Sequence, residues 1–68
     1  MKRWINGTHA SGENLKIDKF LDDICKVCRK HGLTLSHEDG GGAFEVDSFN
    51  EENIKWILGA NDNTKEQL

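Results

Sequence analysis

Cysteine is scarce in this sequence: Cys25 and Cys28 are the only two in 68 residues. Two residues cannot build the disulfide framework of a small secreted scaffold, so a reducing cytoplasm is the expected compartment. No apolar run approaches the roughly 20 residues that cross a bilayer, and no membrane partner is expected. The opening segment Met1-Lys2-Arg3-Trp4-Ile5-Asn6-Gly7 holds too short an apolar stretch for a secretory signal. A basic stripe is also missing. Nine Lys and Arg stand against 12 Asp and Glu, a net charge of −3, with the acids scattered along the chain. That balance argues against general binding to long DNA or RNA, which favours clustered positive charge. There is no internal repeat, and neither the phosphate-loop nor the dinucleotide glycine fingerprint occurs.

What is present is a lean globular composition, 35% hydrophobic and 31% charged. There is room for one domain. A domain of this size buries only ~60% of the surface its unfolded chain exposes. Its core is marginal unless a metal, a disulfide or a partner subunit helps.

The pattern divides the chain into an irregular segment over 1–14, an α-β-β-α domain over 15–60 and a flexible tail over 61–68. In the first segment Asn6-Gly7 and Ser11-Gly12 are turn dipeptides, and Trp4 and Ile5 belong on the core or on a neighbouring subunit. From Leu15 to Lys30 the spacing is helical. Ile17, Phe20, Leu21, Ile24, Val27, Cys28 and His31 share one face, and Cys25 lies at its margin. Asp18 near the start, and Arg29 and Lys30 near the end, suit the helix dipole. Gly32 is placed to stop the helix in the left-handed conformation.

Leu33-Thr34-Leu35-Ser36-His37-Glu38 alternates as a strand does, with Leu33, Leu35 and His37 on one face. After the turn Asp39-Gly40-Gly41-Gly42, Ala43 to Asp47 alternates again with Phe44 and Val46 inward, which predicts a β-hairpin. Asn50 is a helix cap, Phe49 and Ile54 occupy the hydrophobic-staple positions, and Gly59 ends a short helix over the Ile54-Ile57-Leu58 stripe. The expected fold class is therefore α+β: a small α-β-β-α domain whose hairpin is covered by two helices. A two-stranded sheet is marginal alone, and its edges and open face invite another copy of the chain. An oligomer follows as the expectation.

The turn His37-Glu38-Asp39-Gly40-Gly41-Gly42-Ala43-Phe44 is the most informative segment. A two-residue hairpin turn needs only one or two glycines, and three in a row add conformational entropy to be lost on folding. Close backbone approach to a ligand is one reason to keep them: successive N–H groups can form a concave anion nest. The competing reading is a flexible, bulged hairpin tip. Ser36-His37-Glu38-Asp39 is no catalytic triad, because strand neighbours point to opposite faces. Cys25, Cys28 and His31 have zinc-like chemistry, yet zinc-binding cysteine pairs usually sit on a turn, and a buried free cysteine is a small hydrophobe. Lys26, Arg29 and Lys30 read as a solvated helix end or as phosphate contacts across a subunit boundary. Trp56 falls off its helix stripe and reads as core or interface packing, or as a surface that stacks on a base.

The run from Cys28-Arg29-Lys30-His31-Gly32-Leu33-Thr34-Leu35-Ser36-His37 through Glu38-Asp39-Gly40-Gly41-Gly42-Ala43-Phe44-Glu45-Val46, followed by Phe49 to Leu58, resembles a widespread group of tiny phage-encoded proteins. That group looks like the anti-CBASS sponge proteins. The similarity covers residues 15 to 60, and its most specific part is the His-Glu-Asp-Gly to Gly-Ala-Phe segment. The resemblance implies a phage immune-evasion protein in the host bacterial cytoplasm. It implies a homo-oligomer, a tetramer, that binds cyclic dinucleotides such as 3′3′-cyclic GMP–AMP without cleaving them. It implies no enzyme activity, no cofactor and no metal. The contacts themselves are inferred from chemistry. Amides of Gly40, Gly41 and Gly42 approach the phosphates, His37 donates, Glu38 or Asp39 accepts from a guanine edge, and Phe44 or Trp4 stacks on a base. The main alternative is a small inhibitor that grips a host protein through its hairpin edge and exposed aromatics.

Overall fold

Two helices are fixed by their caps. In the computed structural model, which describes residues 1–65, α1 runs Leu15–His31 and α2 runs Glu51–Leu58. Asn14 is extended, and its side-chain oxygen accepts the Ile17 N–H at 3.2 Å. Asn50 does the same for the Asn53 N–H at 2.8 Å. Each cap satisfies one of the amides that a helix start leaves without a partner. Gly32 has φ 70°, and its N–H donates to the Cys28 carbonyl. The left-handed turn there sends the chain straight into a strand.

β3 (Leu33–His37) and β4 (Phe44–Ser48) pair antiparallel, with Leu35 opposite Val46 and His37 opposite Phe44. The Phe49 N–H closes the base of this hairpin on the Gly32 carbonyl at 2.9 Å. Asn53 of α2 donates to both Thr34 Oγ1 and Asp47 Oδ2 at 3.0 Å, and Thr34 Oγ1 donates to the Ser48 carbonyl. These bonds let Thr34 be almost fully buried, since a polar group removed from water needs partners.

The core consists of Leu21, Cys25, Cys28, Ile54 and Ile57, with Ile17, Ile24, Leu35, Phe49, Leu58 and Ala60 packed around it. Cys25, expected at the margin of the stripe, is in this core. Phe20 and Val27, expected on the buried face, are 61% and 57% exposed. The reason is width: α1 carries an apolar stripe broader than an eight-residue α2 and one strand can cover. Phe44 and Val46 also depart from expectation. They are expected to point inward, yet they are 70% and 60% exposed, because β4 pairs with β3 and, among the described residues, no helix covers this face of it.

The first segment is not irregular. β1 (Arg3–Ile5) and β2 (Ala10–Gly12) form a second antiparallel hairpin, with Trp4 opposite Ser11. Gly7 and His9 take positive φ in its turn, and Thr8 Oγ1 donates to the Ile5 carbonyl. Buried Arg3 bolts this hairpin to the rest. Its guanidinium donates to the carbonyls of Leu58 and Ala60 at 3.1 and 2.7 Å and to Asp18 Oδ1 at 2.6 Å.

The tail also differs from the expectation as far as it is described. Asp62 is almost fully buried and bridges in parallel to Ile5. Its N–H donates to the Trp4 carbonyl, and its own carbonyl accepts the Asn6 N–H, both at 2.8 Å. Its carboxylate accepts from Asn14 and from the Thr64 amide and hydroxyl. Residues 61–63 are thus tied to the N-terminal hairpin, and 66–68 lie outside the described residues. Together the elements form a small α+β fold with two antiparallel hairpins and two helices. Among the described residues no helix is long and apolar enough to cross a membrane.

Candidate functional site

The β3–β4 tip shows why three glycines stand in a row. The Glu38 N–H donates to the Ala43 carbonyl at 2.9 Å and closes the loop. Inside it, the Glu38 carboxylate folds back and accepts the Gly40 N–H at 2.6 Å through Oε1. The Gly41 N–H donates to Oε2 of the same carboxylate. A Cβ at Gly40 would lie 2.8 Å from Glu38 Oε1, and one at Gly41 3.0 Å from Oε2. A side chain at either position would push the carboxylate aside. Gly42 serves differently: it has φ 77° with open space where a Cβ would be, so its role is backbone conformation.

The tip is therefore a two-donor cradle for an oxyanion, and Glu38 is the anion in it. The carboxylate satisfies two amides that a six-residue hairpin loop would otherwise leave to water. Of the three glycine amides expected to form an anion nest, those of Gly40 and Gly41 converge on the Glu38 carboxylate. Glu38, expected to meet a base edge, instead occupies the nest.

Around the cradle the structure gathers several of the expected side chains. His37 and Phe44 face each other across the strands. His37 Nδ1 stands 3.9 Å from Asp39 Oδ1. On its other side the Trp56 ring lies 6.5 Å from the His37 ring, centroid to centroid, inclined at 51°. Phe44, Trp56 and His37 are all substantially exposed, so an aromatic ledge borders the loop. Trp56 was noted in the sequence for its position off the helix stripe, but nothing in the pattern tied it to His37. That link is made only by how α2 packs against β3.

Trp4 is not part of this group. It belongs to the β1–β2 hairpin and meets His9 edge-on at 6.5 Å. Arg29 is also committed elsewhere: its guanidinium makes a two-pronged pair with Glu51, at 3.0 and 3.4 Å, and lies over the Phe49 ring. This pairing pushes the Glu51 carboxyl below its usual range. The contact staples the end of α1 to the start of α2, which leaves Lys26 and Lys30 as the exposed cations of that patch. Cys25 and Cys28 are free and buried, and burial raises the Cys25 thiol pKa, so it behaves as a core hydrophobe. Exposed His31 lies outside that core. Among the described residues no cluster of three or more His, Cys, Asp or Glu converges on one point.

No protein-family model, no curated protein and no solved structure matches the chain.

Proposed function

We propose that the β3–β4 tip receives a phosphate of a cyclic dinucleotide and that the protein sequesters such a messenger without cleaving it, as a phage-encoded inhibitor of CBASS defence would. One observation carries the reading: two consecutive amides, those of Gly40 and Gly41, converge on a single carboxylate. A phosphate presents the same pair of oxygens to the same donors. Binding is then an exchange in which the incoming anion displaces Glu38, a movable side chain. His37 is positioned to donate at the rim, and Phe44 and Trp56 offer flat apolar faces for bases. The sequence resemblance around His37 to Phe44 supplies the choice of ligand class. A sponge needs no nucleophile, and Ser36 and His37 alternate along β3 to opposite faces.

The test is a melting-temperature screen against cyclic di- and trinucleotides, with mass spectrometry of the retained compound. The reading expects a rise in Tm with one cyclic dinucleotide and recovery of that compound intact. No shift across the panel, or recovery of a linear product, defeats it.

A second reading is favoured by the outer edge of β4, which no other strand pairs among the described residues. A host protein could add a strand there. It expects stable co-purification with one host protein and indifference to nucleotides.

A further inference from the structure

The two sides of the N-terminal hairpin differ in chemistry, and its register says which residues each side carries. Trp4 of β1 stands opposite Ser11 of β2. Along the other edge of β1, Asp62 pairs in parallel with Ile5. Paired residues share a face and strand neighbours alternate, so Arg3, Ile5 and Asp62 point inward together. Trp4, Asn6, Ser11, Asn61 and Asn63 then point outward. The side-chain contacts agree. Asn61 Nδ2 donates to Asn6 Oδ1, and Asn6 Nδ2 donates to Asn63 Oδ1, both at 3.2 Å. The charges of Arg3 and Asp62 are buried on the inner side. The outward patch is one indole, three carboxamides and one hydroxyl, and none of these carries charge.

Two features of the patch add little to stability and much to order. Hydrogen bonds between exposed amides compete with water and are worth little net. Here they orient the amides. Asn6 accepts through its oxygen and donates through its nitrogen, so the three are polarised in one direction. Asn61 Oδ1 at one end and Asn63 Nδ2 at the other make no hydrogen bond among the described residues. They present an acceptor and a donor to solvent. The second feature is Trp4, 44% exposed. The His9 ring stands 6.5 Å from it, centroid to centroid, at 79°. His9 reaches that place from φ 54°, a conformation uncommon for a residue with a side chain. An indole held by a neighbour is a stacking surface whose ordering cost is already met.

The chemistry of this patch selects its ligand. Exposed Lys2 and Glu13, next along the two strands, are opposite in sign, so a phosphate finds no excess of positive charge. One indole is too small an apolar patch for a protein or lipid surface. A sugar ring matches it. One side of the ring is a layer of C–H groups, which suits the negative face of an indole. Its hydroxyls both donate and accept, as carboxamides do. We propose that the outward face of the β1–β2 hairpin binds a neutral sugar, stacked on Trp4 and hydrogen-bonded by the amide chain of Asn6, Asn61 and Asn63.

The test is a heteronuclear NMR titration of the whole chain with the methyl glycosides of glucose, galactose, mannose and N-acetylglucosamine. Trp4→Phe and Trp56→Phe assign the two indole N–H signals. At least one glycoside should shift the Trp4 indole and the three Asn side-chain amides saturably, with a Kd on the order of 1 mM. The Gly40 and Gly41 amides should stay in place. Trp4→Ala should weaken binding at least tenfold, and Trp4→Phe, which keeps a ring, by less. Asn6→Ala breaks both links of the amide chain and should cost roughly threefold to tenfold. If it also disturbs the hairpin amides, Asn63→Ala removes only the terminal donor and should cost about threefold. No shift with any of the four glycosides up to about 50 mM, well above that Kd, overturns the proposal. So do shifts that survive Trp4→Ala, and so does a Trp4 response to adenosine or guanosine in place of the glycosides, which would make the patch a base platform. Glycoside binding without any nucleotide response counts against the proposed function alone. A nucleotide response at Gly40 and Gly41, with Trp4 silent to every glycoside, counts against the sugar face alone.

Discussion

The guanidinium of Arg3 donates to the Asp18 carboxylate at 2.6 Å, with the Arg3 side chain almost fully removed from water. The same group caps the carbonyls of Leu58 and Ala60. One residue thus ties the N-terminal hairpin to the start of α1 and to the end of α2.

Arg3→Met should therefore be among the most damaging single substitutions. It leaves two part-buried carbonyls without this donor and Asp18 with only the N-terminal amine as its cation, at a cost of about 3 kcal/mol. Arg3→Lys keeps the charge, but a compact ammonium cannot span Asp18 and both carbonyls, so the loss should be intermediate. Chemical denaturation of the three proteins checks the order. Equal stability of Arg3→Met and the unaltered chain would show that the hairpin is not coupled to the core.

Acid should loosen the same region first. Hydrogen bonding from Arg3, and then from the N-terminal amine, lowers the Asp18 pKa. Hydrogen bonding from Thr64, through its hydroxyl and then its amide, lowers that of Asp62. A folded pKa below the unfolded value, about 3.9 for aspartate, means stability that is complete above that value. It is lost as pH falls through the lower folded pKa. Unfolding free energy should thus fall as pH drops below about 4. Asp18→Asn and Asp62→Asn should each flatten that slope. Denaturant melts from pH 6 to pH 2.5 measure it. An unchanged slope in both variants would mean that these carboxylates do not gain their partners on folding.

The glycines of the tip should separate by role. Gly42→Ala forces a side chain into a left-handed backbone and should cost about 1 kcal/mol, although no atom stands in its way. Gly40→Ala and Gly41→Val meet only the far end of Glu38, which can swing out, so stability should change by less than about 0.5 kcal/mol. Those two should instead abolish ligand-induced stabilisation. Thermal melts with and without cyclic dinucleotide distinguish the two patterns. Retained ligand response in Gly41→Val would remove the cradle from the site.

Much of this layout was legible in the residues, and the reasons differ by element. The helices announced themselves by apolar spacing and by Gly32 and Asn50 at their ends. The β3–β4 hairpin did so by alternation around a glycine run. The N-terminal hairpin did not. Its strands are three residues long, and what holds them, Arg3 and Asp62, acts through contacts distant in the chain, 15 residues for Arg3 with Asp18 and 57 for Arg3 with Ala60. No local pattern carries such a contact. Alternation correctly placed Leu35 and Val46 on one face, but it cannot say whether anything in so short a chain covers that face. At the site, three glycines signalled an amide cradle. The occupant was hidden, because a glutamate beside a turn has many rotamers and sequence does not choose among them.

That occupant gives the sharpest test of the tip. If Glu38 is an internal stand-in for a bound anion, it competes with the ligand for the Gly40 and Gly41 amides and repels it as well. Glu38→Ala removes both effects. Affinity for a cyclic dinucleotide should then rise by about tenfold, equivalent to 1.4 kcal/mol, and inorganic phosphate should become a detectable competitor. If Glu38 instead swings out to accept a hydrogen bond from a base, the same substitution removes a contact and affinity should fall. Calorimetric titration of both proteins decides by sign alone. A fall would keep the tip as a binding site but reassign Glu38 from an occupant of the cradle to a reader of the base, and the amides would then be open whenever ligand is bound.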